Sequence, residues 1–524
     1  MPVPVQTRVQ EECFSLCVFG ASGDLATKKL YPALFNLHCQ GFMPPRTLII
    51  GCGRTAYTED SFREKLKHML LKGTGGYTIE SPPGTPPSAE KAMPKKVSEV
   101  IEGPKVTLGH VESFIERCTY VVTTYESNDS FQALFDSVLV HEEDNKAAKI
   151  HNRIFYFALP YSVWPQVCTC LKAKNDEFPV SGSVRAVLEK PFGRDQKSAA
   201  ELMRVVDGCF KEDQVYRIDR YLGKEMLENL LVTRFANRFF APIWNRDTIN
   251  TVQIIFKEPF GAEDQNRMKY FDQQGIIRDV IENHLLQVLA LVCMDKPASL
   301  SVEDIRTEKL KLLRSVKAIK KEDVVIGQYT EGASHPGYQE DPNILGKEST
   351  TPTFAMMVVY IRNERWDGVP FILKAGKALN EKRSEIRIQL KNVPGDLFEE
   401  EPQQVPNELV VRMQPTEEMY LKMTIKKPGL GMEIVPTEME YQESWNVHQQ
   451  NQHERNRAPR RAYERLLMNC LQGDQGRYVH KEELLEMYKI MDPINKMVDE
   501  NKLPLHSYPY GFPCPTVLPL HSYP

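Results

Sequence analysis

Apolar strand-like runs alternate with segments of helical period through the N-terminal part of the chain. The runs Phe14 to Phe19 and Thr47 to Cys52 enclose a segment in which Leu30, Ala33, Leu34 and Leu37 recur at helical spacing, and Gly41 closes it. This alternation predicts βαβ units on a parallel sheet, continued by strands at Ile154 to Ala158, Ala186 to Glu189 and Val215 to Ile218. After Asp219 the pattern changes. Runs at Thr251 to Phe256, Phe354 to Ile361, Ile386 to Leu390, Leu409 to Met413 and Leu421 to Ile425 follow with few helices between them. Ile386, Ile388 and Leu390 alternate with Arg387 and Gln389, as in a half-exposed antiparallel sheet. The expected fold class is α/β: a doubly wound N-terminal domain at 1–216, then an α+β domain at 217–524 with a large, mainly antiparallel sheet.

Two segments have no usable period. Lys72 to Val106 is rich in Pro, Gly and Ser, including SPPGTPPS at Ser81 to Ser88, and reads as a surface insertion. The sequence LPLHSYP occurs at Leu503 to Pro509 and again at Leu518 to Pro524. Its prolines exclude helix, so an extended, mobile terminus is expected. With 524 residues the chain is long enough for two cores. The 66 Lys and Arg nearly cancel the 70 Asp and Glu, without long single-sign blocks, which argues against nucleic acid or an anionic membrane as partner. Eleven cysteines are scattered without a CxxC pair, a pattern of free thiols in a reducing compartment. The first dozen residues are polar, and the longest apolar stretches, near Leu285 to Val292, are too short to span a bilayer. A soluble, cytoplasmic protein is expected.

Chemistry concentrates in a few motifs. The first strand ends in GASGDLATKK, where Gly20 and Gly23 permit a tight turn and close approach of backbone to a pyrophosphate, with Ser22 and Asp24 adding contacts. The second strand ends in GCGRT. Arg54 stands where an NAD enzyme places an acidic residue, so NADP is preferred over NAD. EKPFGRD puts Lys190 at a strand end and predicts a cis bond from Lys190 to Pro191. The densest constellation is RIDRYLGKE, Arg217 to Glu225. Read as a strand turning into a helix from Leu222, it aims Arg220, Tyr221 and Lys224 near a helix N-terminus and suits a phosphorylated substrate. In GIIRDVIENHLLQ, a helical stripe points His284 inward, with Asp219 and Asp279 as carboxylates a histidine base requires. KEPFG supplies Glu258 for sugar hydroxyls, and His and Cys nowhere cluster at metal-ligand spacing.

These motifs, with FANRFFAPIWNRD and ERWDGVPFILKAGKALNEKRSE, stand in the order shown by glucose-6-phosphate dehydrogenases, and the chain closely resembles that family from about Phe14 to Pro493. The resemblance implies hydride transfer from C1 of glucose 6-phosphate to NADP, the first step of the oxidative pentose phosphate pathway. It makes His284 the general base and Asp219 its orienting carboxylate. It assigns Tyr221 and Lys224 to the substrate phosphate, Lys190 to sugar and coenzyme, and Glu258 and Asp279 to sugar hydroxyls. Lys377, Lys382 and Gln414 match further substrate contacts, and Gly20, Ala21, Ser22, Gly23, Asp24, Leu25 and Arg54 match the coenzyme site.

Assembly as a homodimer or homotetramer is implied too. Three departures stand out. Arg220 replaces the family's phosphate-binding histidine. It binds phosphate bidentately in one reading, and in the alternative it pairs with Asp219 and leaves a catalytically impaired relative that binds NADP and sugar phosphate. Trp164 stands where a coenzyme-pocket tyrosine is common. Arg383, Arg387 and Lys422 match cations of a second, structural NADP site, but the C-terminal strand of that site is unrecognisable after Gly511, so the site is not carried over.

Overall fold

The computed structural model describes residues 11–72, 78–79, 105–262, 265–341, 344, 348–398, 405–440 and 461–515. It divides into two compact units, one of Met1–Gly193, Ala199–Gly223 and Gln452–Val479, the other of Arg194–Ser198, Lys224–Asn451 and His480–Pro524.

In the first unit, β1 (Cys13–Phe19), β2 (Arg46–Gly53), β3 (Cys118–Val122), β4 (His151–Phe157), β5 (Val184–Leu188) and β6 (Val215–Ile218) form a parallel sheet in the order β6-β5-β4-β1-β2-β3. This is the doubly wound dinucleotide-binding order, with the reversal between β1 and β4. Every residue of β1 is buried, so its apolar run is that of a central strand covered on both faces. Phe14, Leu16 and Val18 join Tyr31, Leu34 and Phe62 in the core beneath the helices. The edge strand β3 escapes the sequence pattern because it is short and its burial alternates.

The first unit also extends beyond the 216/217 boundary that the pattern suggests. It runs to Gly223 and takes back Gln452–Val479, whose strand Tyr478–Val479 pairs antiparallel with β6. Helix Ala462–Gln472 is locked in place by Asn36 Nδ2 donating to Glu464 Oε1 at 2.8 Å and by Arg185 donating to the Cys470 and Leu471 carbonyls at 2.6 and 2.8 Å.

The second unit holds a nine-stranded sheet. Its strands are β7 (Ile249–Lys257), β8 (Val324–Thr330), β9 (Phe354–Val359), β10 (Phe371–Gly376), β11 (Arg383–Leu390), β12 (Glu408–Gln414), β13 (Glu418–Lys426), β14 (Ile434–Glu440) and β15 (Leu505–Pro509), ordered β14-β13-β12-β11-β7-β10-β9-β8-β15. Pairing is antiparallel except at β7–β10 and β8–β15. The mainly antiparallel character agrees with the sequence reading.

The first copy of LPLHSYP corrects the expectation of a mobile terminus. It supplies β15, and Tyr508, 1% exposed, donates its hydroxyl to the Lys377 carbonyl at 2.8 Å and lies 2.7 Å from the Thr353 hydroxyl. A parallel edge strand can end in proline because its last amide is not required by the ladder. The second copy lies outside the described residues, as does most of the predicted insertion, where Thr78–Ile79 pairs in parallel with Lys105–Val106.

Candidate active site

In the first unit the loop after β1 occupies the switch point. Gly20 has φ +80°, and a Cβ there would stand 2.3 Å from the Ala158 carbonyl oxygen, so no other residue fits. The turn is tied down by the Gly20 and Ala21 amides donating to the Cys52 carbonyl at 2.9 and 3.2 Å and by the Gly23 amide donating to Gly20 O at 3.0 Å. Ser22 Oγ lies 3.3 Å from Thr55 Oγ1, which joins the loop to the segment carrying exposed Arg54. Asp24 pairs with Lys28 at 2.9 Å on the surface. The sequence reading missed Lys65, whose Nζ reaches the Ser22 carbonyl at 3.4 Å and the Tyr57 hydroxyl at 3.0 Å, a second cation beside this loop. Lysine on an amphipathic surface helix gives no signal of such a role. Trp164 is fully buried, edge-on to Phe157 and Phe192, and its indole N–H donates to the Leu159 carbonyl at 3.2 Å. It is a core residue.

At the C-terminal ends of β5 and β6 the other motifs of this unit meet. The Lys190–Pro191 bond is cis, as expected, and Lys190 is half-buried. Beside it, Glu189 is 7% exposed and accepts the Tyr156 hydroxyl at 2.5 Å. Burial pushes the Glu189 carboxyl above its ordinary range, while the hydroxyls of Tyr156 and Tyr463 and the charges of Lys190 and Arg220 pull it back. Arg220 therefore has Glu189 as an electrostatic neighbour, and its side chain is exposed.

Asp219 is 3% exposed and takes the Tyr221 amide on Oδ1 at 2.9 Å, which makes the tight turn after β6. Tyr221 is buried. Gly223 passes against helix Ala462–Gln472, where a Cβ would come within 2.7 Å of the Ala462 carbonyl oxygen. For these reasons the helix begins at Glu225 and not at Leu222, with Lys224 as its extended N-cap. Arg217, a cation of the same motif, is fully buried and pairs with Glu212 at 2.6 and 2.9 Å, so it serves the fold.

In the second unit, His284 and Asp279 lie on Ile277–Leu285, a helix as the sequence pattern predicts, and of the π type. Its i→i+5 bonding puts residues five positions apart on one side, so Asp279 and His284 share a face. His284 is 2% exposed, inward as expected, and Asp279 is half-buried. Glu258, just after β7, receives Lys377 Nζ at 2.5 Å, and that ammonium also lies over the Phe271 ring. The structure thus brings these two predicted substrate residues together. Lys382 is exposed, and Gln414 ends β12 half-buried before a cis bond to Pro415. Arg383 pairs with Glu381 at 2.6 Å, Arg387 with Glu408 at 2.5 Å, and Lys422 lies 3.9 Å from Glu408. All eleven cysteines are free thiols. Among the described residues, no three His, Cys, Asp or Glu side chains gather as a metal site requires, and no helix is long and apolar enough to cross a membrane.

Comparison with known proteins agrees over nearly the whole chain. Residues 17–229 match the family model "Glucose-6-phosphate dehydrogenase, NAD binding domain", and 231–518 match "Glucose-6-phosphate dehydrogenase, C-terminal domain". The cytoplasmic isoform of glucose-6-phosphate 1-dehydrogenase from Solanum tuberosum is 44% identical over 494 residues, 94% of this chain and 87% of the relative. A chloroplastic glucose-6-phosphate 1-dehydrogenase of Arabidopsis thaliana is 40% identical over 514 residues, covering 96% and 81%. A solved glucose-6-phosphate dehydrogenase in complex with its substrate glucose 6-phosphate is 38% identical, with a TM-score of 0.83 over 96% of each chain.

Proposed function

Because the chain belongs to the glucose-6-phosphate dehydrogenase family, it oxidises D-glucose 6-phosphate at C1 to 6-phosphoglucono-1,5-lactone, and we propose how its own residues do so. The coenzyme is NADP, which supplies the hydride acceptor when bound. The observation that carries the reading is the RIDRYLGKE turn, with Asp219 and Tyr221 buried at the C-terminal end of β6 in a sheet of dinucleotide-binding order.

His284 takes the proton of the C1 hydroxyl, and Asp219 orients the imidazole and offsets its positive charge. Tyr221, Lys224 and Arg220 bind the phosphate, with Lys190, Lys377, Lys382 and Gln414 as further substrate contacts. Glu258 and Asp279 accept from sugar hydroxyls. Gly20 to Leu25 cradle the pyrophosphate. Arg54 pairs with the 2'-phosphate, which the exposed guanidinium and the lack of an acidic residue in GCGRT support.

Likeness over nearly the whole chain to glucose-6-phosphate 1-dehydrogenases supports a working phosphate site, with Arg220 among its cations, over the impaired alternative. Catalytic efficiency for glucose 6-phosphate should exceed that for galactose 6-phosphate and free glucose by a wide margin. Equal efficiencies would refute the assignment of phosphate and sugar contacts.

Lys224→Ala should raise the KM for glucose 6-phosphate about tenfold or more with a small change in kcat, because a phosphate remote from C1 contributes mostly uniform binding. An unchanged KM would remove Lys224 from the site. Gly20→Val forces a Cβ into the Ala158 carbonyl at a left-handed φ. Fluorescence titration should show NADPH affinity reduced at least about tenfold, roughly 1.4 kcal/mol. Retained affinity would contradict the loop's role.

The cytoplasm is the compartment that fits eleven free thiols and the potato relative. A homodimer or homotetramer is supported by the exposed apolar residues Leu430, Met432 and Met439 on and before β14, and sedimentation equilibrium reads the state directly.

A further inference from the structure

Helix Glu59–Leu71 follows the loop after β2 in the first unit, and it buries Phe62, Leu66 and Leu70. The Phe62 ring lies 4.7 Å from that of Tyr120 on β3 and 6.2 Å from that of Tyr57, and Tyr57 stands edge-on to Tyr120 at 5.4 Å. These rings brace the GCGRT segment. The Tyr120 hydroxyl and the Tyr57 amide both donate to the Thr55 carbonyl, each at 2.9 Å.

Lys65 comes three positions after Phe62 and one before Leu66, which puts it at the edge of the buried face, half-buried itself. Its ammonium sits over the Tyr57 ring, 5.0 Å from the centroid, and donates to the Tyr57 hydroxyl at 3.0 Å and to the Ser22 carbonyl at 3.4 Å. Two neighbouring cations of the helix have carboxylates: Arg63 pairs with Glu59 at 2.6 Å, and Lys67 lies 3.7 Å from Glu112. Both acceptors of Lys65 are neutral, and among the described residues its charge has no carboxylate partner.

In a doubly wound fold the adenosine ribose of a dinucleotide lies at the end of the second strand, where its 2'-hydroxyl or 2'-phosphate is recognised. That corner is bounded here by Ser22 and Thr55, whose hydroxyl oxygens are 3.3 Å apart, by exposed Arg54 and by the Lys65 ammonium. A phosphate monoester carries about −1.5 to −2 charges near pH 7, more than one guanidinium offsets.

We infer that Lys65 is a second ligand of the coenzyme 2'-phosphate and a determinant of NADP over NAD. Arg54 supplies the planar, bidentate contact from the loop after β2, and Lys65, held by Tyr57, supplies a point charge from the following helix. The inference rests on the reading that Arg54 meets this phosphate and extends it from one cation to two.

The test is fluorescence titration of the full chain with NADPH and with NADH, unmodified and as Lys65→Gln, Lys65→Glu and Arg54→Gln. Lys65→Gln raises the Kd for NADPH about tenfold and leaves that for NADH within about twofold, because only one coenzyme carries the 2'-phosphate. Charge reversal in Lys65→Glu widens the loss. Unchanged NADPH affinity in both Lys65 variants overturns the inference. Equal weakening of NADPH and NADH overturns it too, and makes Lys65 a support of the loop. Arg54→Gln separates the two readings: preference for NADPH lost there and kept in Lys65→Gln overturns the inference alone, whereas preference kept in Arg54→Gln and lost in Lys65→Gln supports Lys65 and counts against the Arg54 reading.

Discussion

His284→Asn lowers turnover by about a hundredfold or more and leaves the KM for glucose 6-phosphate nearly unchanged. The imidazole is 2% exposed on a π-helix, so asparagine fits the space without the means to accept a proton near neutral pH. Removing a base acts on the transition state, where the C1 hydroxyl proton is in flight, and hardly touches the bound sugar. Steady-state kinetics with both substrates varied separates the two quantities. Near-normal turnover in His284→Asn would refute the assignment, and a large KM change with kcat intact would make His284 a binding residue.

Lys309→Met destabilises the fold by about 3–5 kcal/mol, the usual cost of removing one partner of a buried ion pair. Lys309 and Glu483 side chains are 4% and 1% exposed, and their contact of 2.7 Å lies where Gln287 also donates to Glu483. Methionine keeps the apolar stem and deletes the charge, which leaves a carboxylate deep in an apolar interior. Replacing Glu483 by Leu in the same chain should restore most of the loss, since two apolar residues pack there without an unpaired charge. Calorimetry reads both Tm values. A single mutant as stable as the parent would show that the pair is solvated, and an unrecovered double mutant would assign the loss to packing.

The strands legible in the sequence are those whose burial covers whole runs. In β1 and β9 every residue is buried, and the apolar run is its direct imprint. The strand β15 lacks that imprint. It carries His506 and Ser507 between Leu505 and Tyr508, and what holds it is pairing with β8 and the Tyr508 hydroxyl bonds, both distant in sequence.

The return of Ala462–Gln472 and Tyr478–Val479 to the first sheet is likewise a long-range pairing that no local period encodes. Ile277, Val280, Ile281 and His284 fit α and π spacing alike, so the pattern predicts a helix without its type. The extra residue per turn becomes visible only in the backbone, after Gly275 breaks the preceding helix at φ +65°.

Within the candidate site, residue types mark the chemistry but not the direction of each side chain. Arg217 and Arg220 stand three positions apart in one motif. The first is buried against Glu212 and the second is exposed near Glu189, because alternation along β6 ends at Ile218 and the Asp219 turn redirects the chain. Tyr156 and Tyr463 touch Glu189 from elements far apart in sequence, and a tyrosine in an apolar strand or helix reads as core. The pairing of Lys377 with Glu258 also needs two strands, β7 and β10, to be adjacent before it can be seen.

The most direct measurement is the rate of NADPH absorbance rise when purified protein, with Arg220 in place, is mixed with glucose 6-phosphate and NADP, beside Arg220→His and with NAD as control. Rapid reduction of NADP by the unmodified chain, slower reduction of NAD, and no reduction without the sugar phosphate are the predicted results. Turnover confined to Arg220→His would contradict the claim and leave a coenzyme-binding fold whose phosphate site is broken at that position.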